Sequence, residues 1–275
     1  MGAAVAVWAA RATGAPIRIP YGSERQQFGE LRLPPGPGPH PVAVVIHGGF
    51  WKAAYALDLM DSLSSAITAA GLATWNIEYR RVGEPGGGWP GTFRDVSAAT
   101  NHLRVVARDH PIDLTRVATI GHSAGGHLAL WLAARPRIWK TDPLFEADPL
   151  RVGSAVSLAG VPDLARAFRE KVGGGAVGAL MGGGPGEKAE RYLACSPAEL
   201  LPLGVAQTLV HAEGDKIVPF DLSYAYAGRA KAAGDNARLV RVPGGHFEII
   251  NPATPAGRQS VAALLGAQKG VARRS

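Results

Sequence analysis

Val117-Ala118-Thr119-Ile120-Gly121-His122-Ser123-Ala124-Gly125-Gly126-His127-Leu128 is the stretch that decides the fold. Val117 to Gly121 reads as an apolar strand and Ala124 to Ala134 as a helix. Between them Gly121-His122-Ser123-Ala124-Gly125 fits G-x-S-x-G, the pattern of a strand-to-helix elbow that carries a serine nucleophile. Such a turn forces its serine into a strained backbone conformation, and glycines two residues to either side let strand and helix approach closely. Ser123 then stands at a helix N-terminus, where free N–H groups and the helix dipole favour developing negative charge. An ordinary glycine-rich turn could hold the same letters by chance; the flanking strand and helix favour the elbow.

Upstream, Val42 to His47 is a continuous run rich in β-branched residues, the mark of a strand buried on both faces. Ile17–Tyr21 and Gln27–Leu33 read as an opening hairpin, and residues 34–41 as a Pro/Gly linker. Tyr55 to Ala70 has helical spacing and stops at Gly71; Leu72 to Tyr79 is a strand, Val82 to Gly91 a Gly-rich loop, and Phe93 to Ala107 a second amphipathic helix. Downstream come strands at Val152–Leu158, Gln207–Ala212 and Arg238–Val242, with helices at Asp221–Ala233 and Pro255–Leu265. This alternation predicts an α/β fold with a mainly parallel, doubly wound sheet. Residues 161–204 interrupt it with Gly173-Gly174-Gly175 and Gly182-Gly183-Gly184. They read as a cap-like excursion over the top of the sheet within one domain spanning residues 1–275.

A serine needs a base, and acyl transfer needs oxyanion donors. The loop His47-Gly48-Gly49-Phe50-Trp51 follows the buried strand. Its glycines can turn N–H groups inward, so Gly48 and Gly49, or Phe50, are candidate donors beside Ala124. His47 is read as a structural hydrogen-bonding residue. If the order is serine, acid, histidine, the base is His211 or His246. His211 lies in a strand and is expected to point into packing, whereas His246 sits in the turn Pro243-Gly244-Gly245-His246-Phe247 and is preferred. The acid is then Asp215 in Glu213-Gly214-Asp215-Lys216-Ile217-Val218-Pro219, with Glu213 two residues earlier as the fallback; Asp163 fits the order less well. Phe50, Trp51 and Trp89 flank the expected site as substrate-binding candidates, with packing as the competing role; Trp75 and Trp131 read as core.

Composition narrows the alternatives. An apolar fraction of 47% with 19% charged residues fits a folded globular chain. The net charge of +7 comes from scattered Lys and Arg without aromatic interleaving, which argues for a solvated surface rather than nucleic-acid binding. The single cysteine, Cys195, cannot form an internal disulfide and lacks a glycine-framed turn. No zinc-ligand spacing appears, so no metal or other cofactor is expected. Met1 to Ala10 is apolar without a preceding basic residue or a myristoylation serine, and no run is long enough to span a bilayer; a cytoplasmic protein is expected.

Four motifs, at His47–Trp51, Gly121–His127, Gly214–Pro219 and Gly244–Glu248, together resemble α/β-hydrolases related to kynurenine formamidase (arylformamidase) and to bacterial carboxylesterases such as acetyl xylan and feruloyl esterases. The catalytic domain of prolyl-oligopeptidase-type peptidases is a more distant relative. The resemblance runs from Val42 to Ile249 and includes Asn76–Arg80, Arg191-Tyr192 and Ser196-Pro197. It implies the α/β-hydrolase fold, a triad of Ser123, Asp215 and His246, and an oxyanion hole at Gly48, Gly49 and Ala124. Formamidases often have Tyr at the position of Phe50, and lipase-like relatives have a third glycine there. The expected activity is hydrolysis of a carboxylic ester or an activated amide such as an arylformamide. A peptidase or transacylase on the same triad, or a non-catalytic small-molecule receptor, are the alternatives. The expected partner is a small ester or amide, not nucleic acid or a membrane, with a homodimer as the assembly to test.

Overall fold

The computed structural model describes residues 14–271. The expectations for Met1 to Ala10 lie outside them. Val42 to Ile46 lie within β3 (His40–Ile46) and are wholly buried. Val42, Val44 and Ile46 enter one hydrophobic core, Ala43 and Val45 the other, so the strand's two-residue period feeds both faces of the sheet. β3 pairs in parallel with β4 (Ala73–Ile77) on one side and β5 (Ile112–His122) on the other. Beyond β5 the sheet continues in parallel through β6 (Ser154–Leu158), β7 (Ala206–Ala212) and β8 (Ala237–Val242). Beyond β4, the hairpin β1 (Ile17–Pro20) and β2 (Phe28–Arg32) adds two antiparallel strands. The order is therefore β1-β2-β4-β3-β5-β6-β7-β8.

This order reverses direction at β3: β4 lies to one side of it, β5 to the other. Such a reversal opens a crevice at the carboxyl ends of the two flanking strands, where ligands bind in open α/β sheets. Here the register pairs Ile46 with Gly121. It sets the loop His47–Trp51 beside the turn at Ser123.

Helices cover both faces. α4 (Ala124–Ala134) is buried along its whole length between the sheet and the excursion. α1 (Asp61–Ala69) and α9 (Pro255–Val271) pack on the opposite face through Leu63, Ile67 and Leu264. The expected helix over Tyr55–Ala70 begins instead as a 3-10 turn at Leu57–Met60. The expected single helix Phe93–Ala107 is two: α2 (Gly91–Asn101) and α3 (Leu103–Asp109). The Trp75 indole N–H donates to the Ala99 carbonyl at 2.9 Å, taking the acceptor that Leu103 N–H would use in a continuous helix. The strand expected at Val117–Gly121 extends back to Ile112 along β3.

Within residues 161–204 lie α5 (Leu164–Arg169), α6 (Ala176–Met181) and α7 (Ala189–Cys195). Their apolar residues join the α4 core. The carbonyls of Cys195 and Ala194 accept from His127 Nε2–H at 2.8 Å and Trp131 Nε1–H at 3.0 Å. α8 (Phe220–Ala232) covers β7 and β8. Among the described residues no helix is long and apolar enough to cross a membrane.

Candidate active site

Ser123 caps α4 with φ 55° and ψ −118°, a conformation that costs a non-glycine residue about 1–3 kcal/mol. Packing enforces it. Its N–H donates to the Leu158 carbonyl at 2.8 Å, and the turn leaves no room for side chains at its flanks. A Cβ on Gly121 would lie 2.1 Å from the Gly125 carbonyl oxygen, and one on Gly125 would lie 2.1 Å from that of Ile46. The glycines thus let β5, α4 and β3 meet behind the serine. Ser123 Oγ has no hydrogen-bond partner among the described residues.

The loop after β3 faces this turn. A Cβ on Gly48 would fall 3.0 Å from Ser123 Cβ, so its backbone lies against the serine. Gly49, Phe50 and Trp51 follow with φ of 107°, 54° and 56°. The N–H groups of Gly48, Gly49 and Phe50 donate to nothing among the described residues. Three contacts hold the loop in this strained form. Tyr79 O–H donates to the His47 carbonyl at 3.0 Å. His47 Nδ1 meets the Gly48 carbonyl at 2.8 Å, and His47 Nε2 meets Glu78 at 3.0 Å. Burial would raise the Glu78 carboxyl, but His47, Arg81 and the Tyr79 N–H outweigh it and hold it below its ordinary range. His47 is therefore a structural anchor of the loop.

His246 Nδ1 donates to Asp215 Oδ2 at 2.6 Å. Both are buried. Asp215 Oδ1 accepts from the backbone N–H of Ile217 at 2.8 Å and Val218 at 2.9 Å. Burial would raise this carboxyl; the hydrogen bonds from His211, His246, Val218 and Ile217 prevail and hold it well below the usual carboxylate range. Glu213 points elsewhere, pairing with the exposed Arg241 at 3.1 Å. Asp163 caps α5 and pairs with Arg229, away from the histidine. His246 is tied to the elbow through His122, whose Nε2–H donates to the His246 carbonyl at 2.9 Å with the rings 4.5 Å apart.

The aromatic candidates separate. Trp51 is 1% exposed and packs edge-on against His127, so its indole belongs to the core rather than to an open wall. Phe50 is partly buried and touches the excursion at Gly173. Trp89 is also partly buried; its backbone N–H donates to Leu180 in α6 at 2.8 Å, and Arg191 of α7 stacks 3.9 Å over its ring. Trp75 and Trp131 are core.

One residue has more to do than its sequence reading allows. His211 is buried, as expected of an inward strand position, yet its Nε2 lies 3.3 Å from Asp215 Oδ2. The signal available in the sequence was the spacing of four between the two, across the turn that ends β7. Cys195 is buried and its thiol is pushed up by that burial, which suits packing. Among the described residues no cluster of three His, Cys, Asp or Glu is placed to hold a metal ion.

Comparison with known proteins places the family and the fold. The chain is 32% identical over 129 residues to a probable carboxylic ester hydrolase, LipM, of Mycobacterium tuberculosis; the match spans 47% of this chain and only 30% of that protein. Among solved structures, a truncated carbohydrate esterase from gut microbiota superposes with a TM-score of 0.78 at 20% identity, over 96% of this chain and 99% of that one. A bacterial heroin esterase gives 0.74 at 22% identity, covering 98% and 87%. Esterase B of Lactobacillus rhamnosis gives 0.79 at 18%, covering 96% and 88%. The BD-FAE family matches residues 31–229, most of the sheet together with the elbow, the loop after β3 and Asp215, so the chain belongs to the BD-FAE family and has the α/β-hydrolase fold.

Proposed function

We propose that the protein is a serine hydrolase of carboxylic esters, acting through an acyl-enzyme on Ser123. The observation that carries this reading is the serine held at φ 55° against a loop whose Gly48, Gly49 and Phe50 N–H groups are unengaged. His246 Nδ1 is occupied by Asp215, so a neutral ring presents Nε2 as the base. On attack, Ser123 Oγ bonds to the ester carbonyl carbon and its proton passes to His246 Nε2. The oxyanion takes hydrogen bonds from Ala124 N–H at the start of α4 and from the Gly48–Gly49 loop. Collapse breaks the bond to the alcohol, which leaves with the proton from His246. Water then attacks the acyl carbon and gives its proton to His246, which returns it to Ser123 Oγ as the bond to the acyl carbon breaks and the acid leaves. Asp215, kept ionised, opposes the imidazolium charge at both stages.

An activated amide such as an arylformamide fits the same steps, with an aromatic amine leaving in place of the alcohol. Phe50 and Trp89, tied to the excursion, would border either leaving group. Structural neighbours bear the names carbohydrate esterase, acetyl ester-xyloside hydrolase and heroin esterase. Acetylated sugars, aryl acetates, feruloyl esters and N-formylkynurenine therefore make up the informative substrate panel. A cytoplasmic setting, with a small molecule as the partner, belongs to the same proposal.

The test is turnover of p-nitrophenyl acetate. Ser123→Ala should fold normally and lose roughly four or more orders of magnitude in kcat. A fluorophosphonate should label Ser123 in the unaltered protein. Label on another serine, or near-normal turnover by the variant, would refute the proposal.

A further inference from the structure

We infer that His211 is a positioning residue for the acid: its Nε2–H, hydrogen-bonded to the Val218 carbonyl, lies beside Asp215 Oδ2, in a tautomer fixed by Ser223. This rests on the serine-hydrolase reading. His211 Nε2 lies 3.0 Å from the Val218 carbonyl and 3.3 Å from Asp215 Oδ2. A carbonyl and an ionised carboxylate only accept, so this nitrogen must carry hydrogen. His211 Nδ1 lies 2.7 Å from Ser223 Oγ, on the first turn of α8. In the neutral ring Nδ1 is bare and receives the Ser223 hydroxyl proton. Both side chains are wholly buried, and Phe220 closes the ring's edge at 5.5 Å between centroids.

The consequence is a carboxylate with polar hydrogen facing both of its oxygens. Oδ1 takes two backbone N–H groups, and Oδ2 takes the His246 Nδ1–H, with His211 Nε2, whose N–H bonds the Val218 carbonyl, 3.3 Å away. It cannot rotate away from His246. His211 also draws charge from the oxygen that His246 uses, which restrains how strongly Asp215 stabilises the imidazolium. An apolar side chain at position 211 would leave that oxygen more basic toward His246 and raise the pH at which the base is lost. The groups facing this assembly are few. His246 faces Asp215, the His122 ring and Phe247. His122 is pushed down to about 3 by burial and stays neutral throughout the range concerned. His211 faces Asp215, Ser223 and Phe220, with Arg241 stacked 5.1 Å from the Phe220 ring and paired to Glu213.

The experiment compares His211→Leu, His211→Gln and Ser223→Ala with the unaltered enzyme on p-nitrophenyl acetate, with Ser123→Ala as control. His211→Leu should lower kcat about 10- to 100-fold with KM within about twofold, and move the acid limb of kcat/KM upward. His211→Gln keeps an N–H toward Asp215 and should recover most of kcat. Ser223→Ala should fall between them and, as a smaller change in volume, keeps the test open where the leucine variant does not fold. Ser123-dependent turnover unaffected by His211→Leu, in rate and in acid limb, overturns the proposal; so does a glutamine variant no better than a folded leucine variant. If the unaltered protein turns over no ester, the serine-hydrolase reading fails instead. Nitrogen-15 imidazole NMR of the full chain then decides His211 alone: protonated Nε2 with bare Nδ1 supports the inference, and the opposite tautomer refutes it.

Discussion

Lowering the pH from 7 to 5 should remove about 4 kcal/mol of folding stability through two histidines outside the triad. His122 and His127 are wholly buried. Burial, joined at His122 by the neighbouring His246, pushes His122 down to about 3, and burial pushes His127 down to about 4. Each donates from Nε2 to a carbonyl, and each has a buried Nδ1 with no partner among the described residues. The fold therefore holds both rings neutral. In the unfolded chain they titrate near 6.5, so below that pH the unfolded state binds more protons than the folded one. Their stabilising contribution is complete above about 6.5 and is lost as the pH falls toward the folded values. Between pH 7 and pH 5 each ring forfeits about 2 kcal/mol. Carboxylates add only tenths over this interval, because their unfolded values lie near 4. Urea melts at the two pH values measure the difference directly. His127→Gln keeps a side-chain N–H for the Cys195 carbonyl but cannot titrate, so it should cut the difference to about 2 kcal/mol. Equal urea midpoints at pH 7 and 5, or a glutamine variant with an unchanged pH response, would refute the reasoning.

Three further outcomes follow from the geometry. Asp215→Asn should lower kcat by up to about 10⁴-fold because the amide favours the wrong His246 tautomer. Glu213→Gln, which loses only an exposed ion pair, should stay within about twofold, and the reverse order would move the acid to position 213. Gly125→Ala must push a methyl into backbone oxygen at 2.1 Å and should destabilise by about 3 kcal/mol or more, whereas Gly228→Ala, in α8 with nothing within 4 Å, should stabilise by up to about 1 kcal/mol. Equal urea midpoints for the two alanine variants would contradict this. Activity should survive dialysis against EDTA, and loss restored by a divalent ion would point to metal-assisted hydrolysis.

What the sequence made legible was whatever local periodicity and turn chemistry control. The run rich in β-branched residues at Val42–Ile46 and the glycines around Ser123 specify a buried strand and a close-packed turn wherever they occur, so the elbow and the parallel sheet could be read directly. The break between α2 and α3 could not, because its cause is Trp75, a residue on β4 that reaches Ala99 only after the sheet has formed. Trp51 shows the same limit. Its neighbours in sequence belong to the site loop, but its side chain is directed by the strained φ of Phe50 and Trp51 into the core against His127. Glu213 and Asp215 pose the sharpest case. Two residues apart, they would share one side of an extended chain, and nothing in their composition ranks them. The ranking comes from the chain leaving β7: Asp215 N–H returns to the Ala212 carbonyl at 3.2 Å, and the carboxylate then folds back over Ile217 and Val218 N–H. That turn brings Asp215 under both His246 and His211 while Glu213 stays outside with Arg241. His211 thus packs inward as its strand position requires, and the surface it packs against is the acid itself. A buried histidine at a strand end, followed four residues later by an aspartate, is on this geometry a pairing to look for before it is assigned to the core.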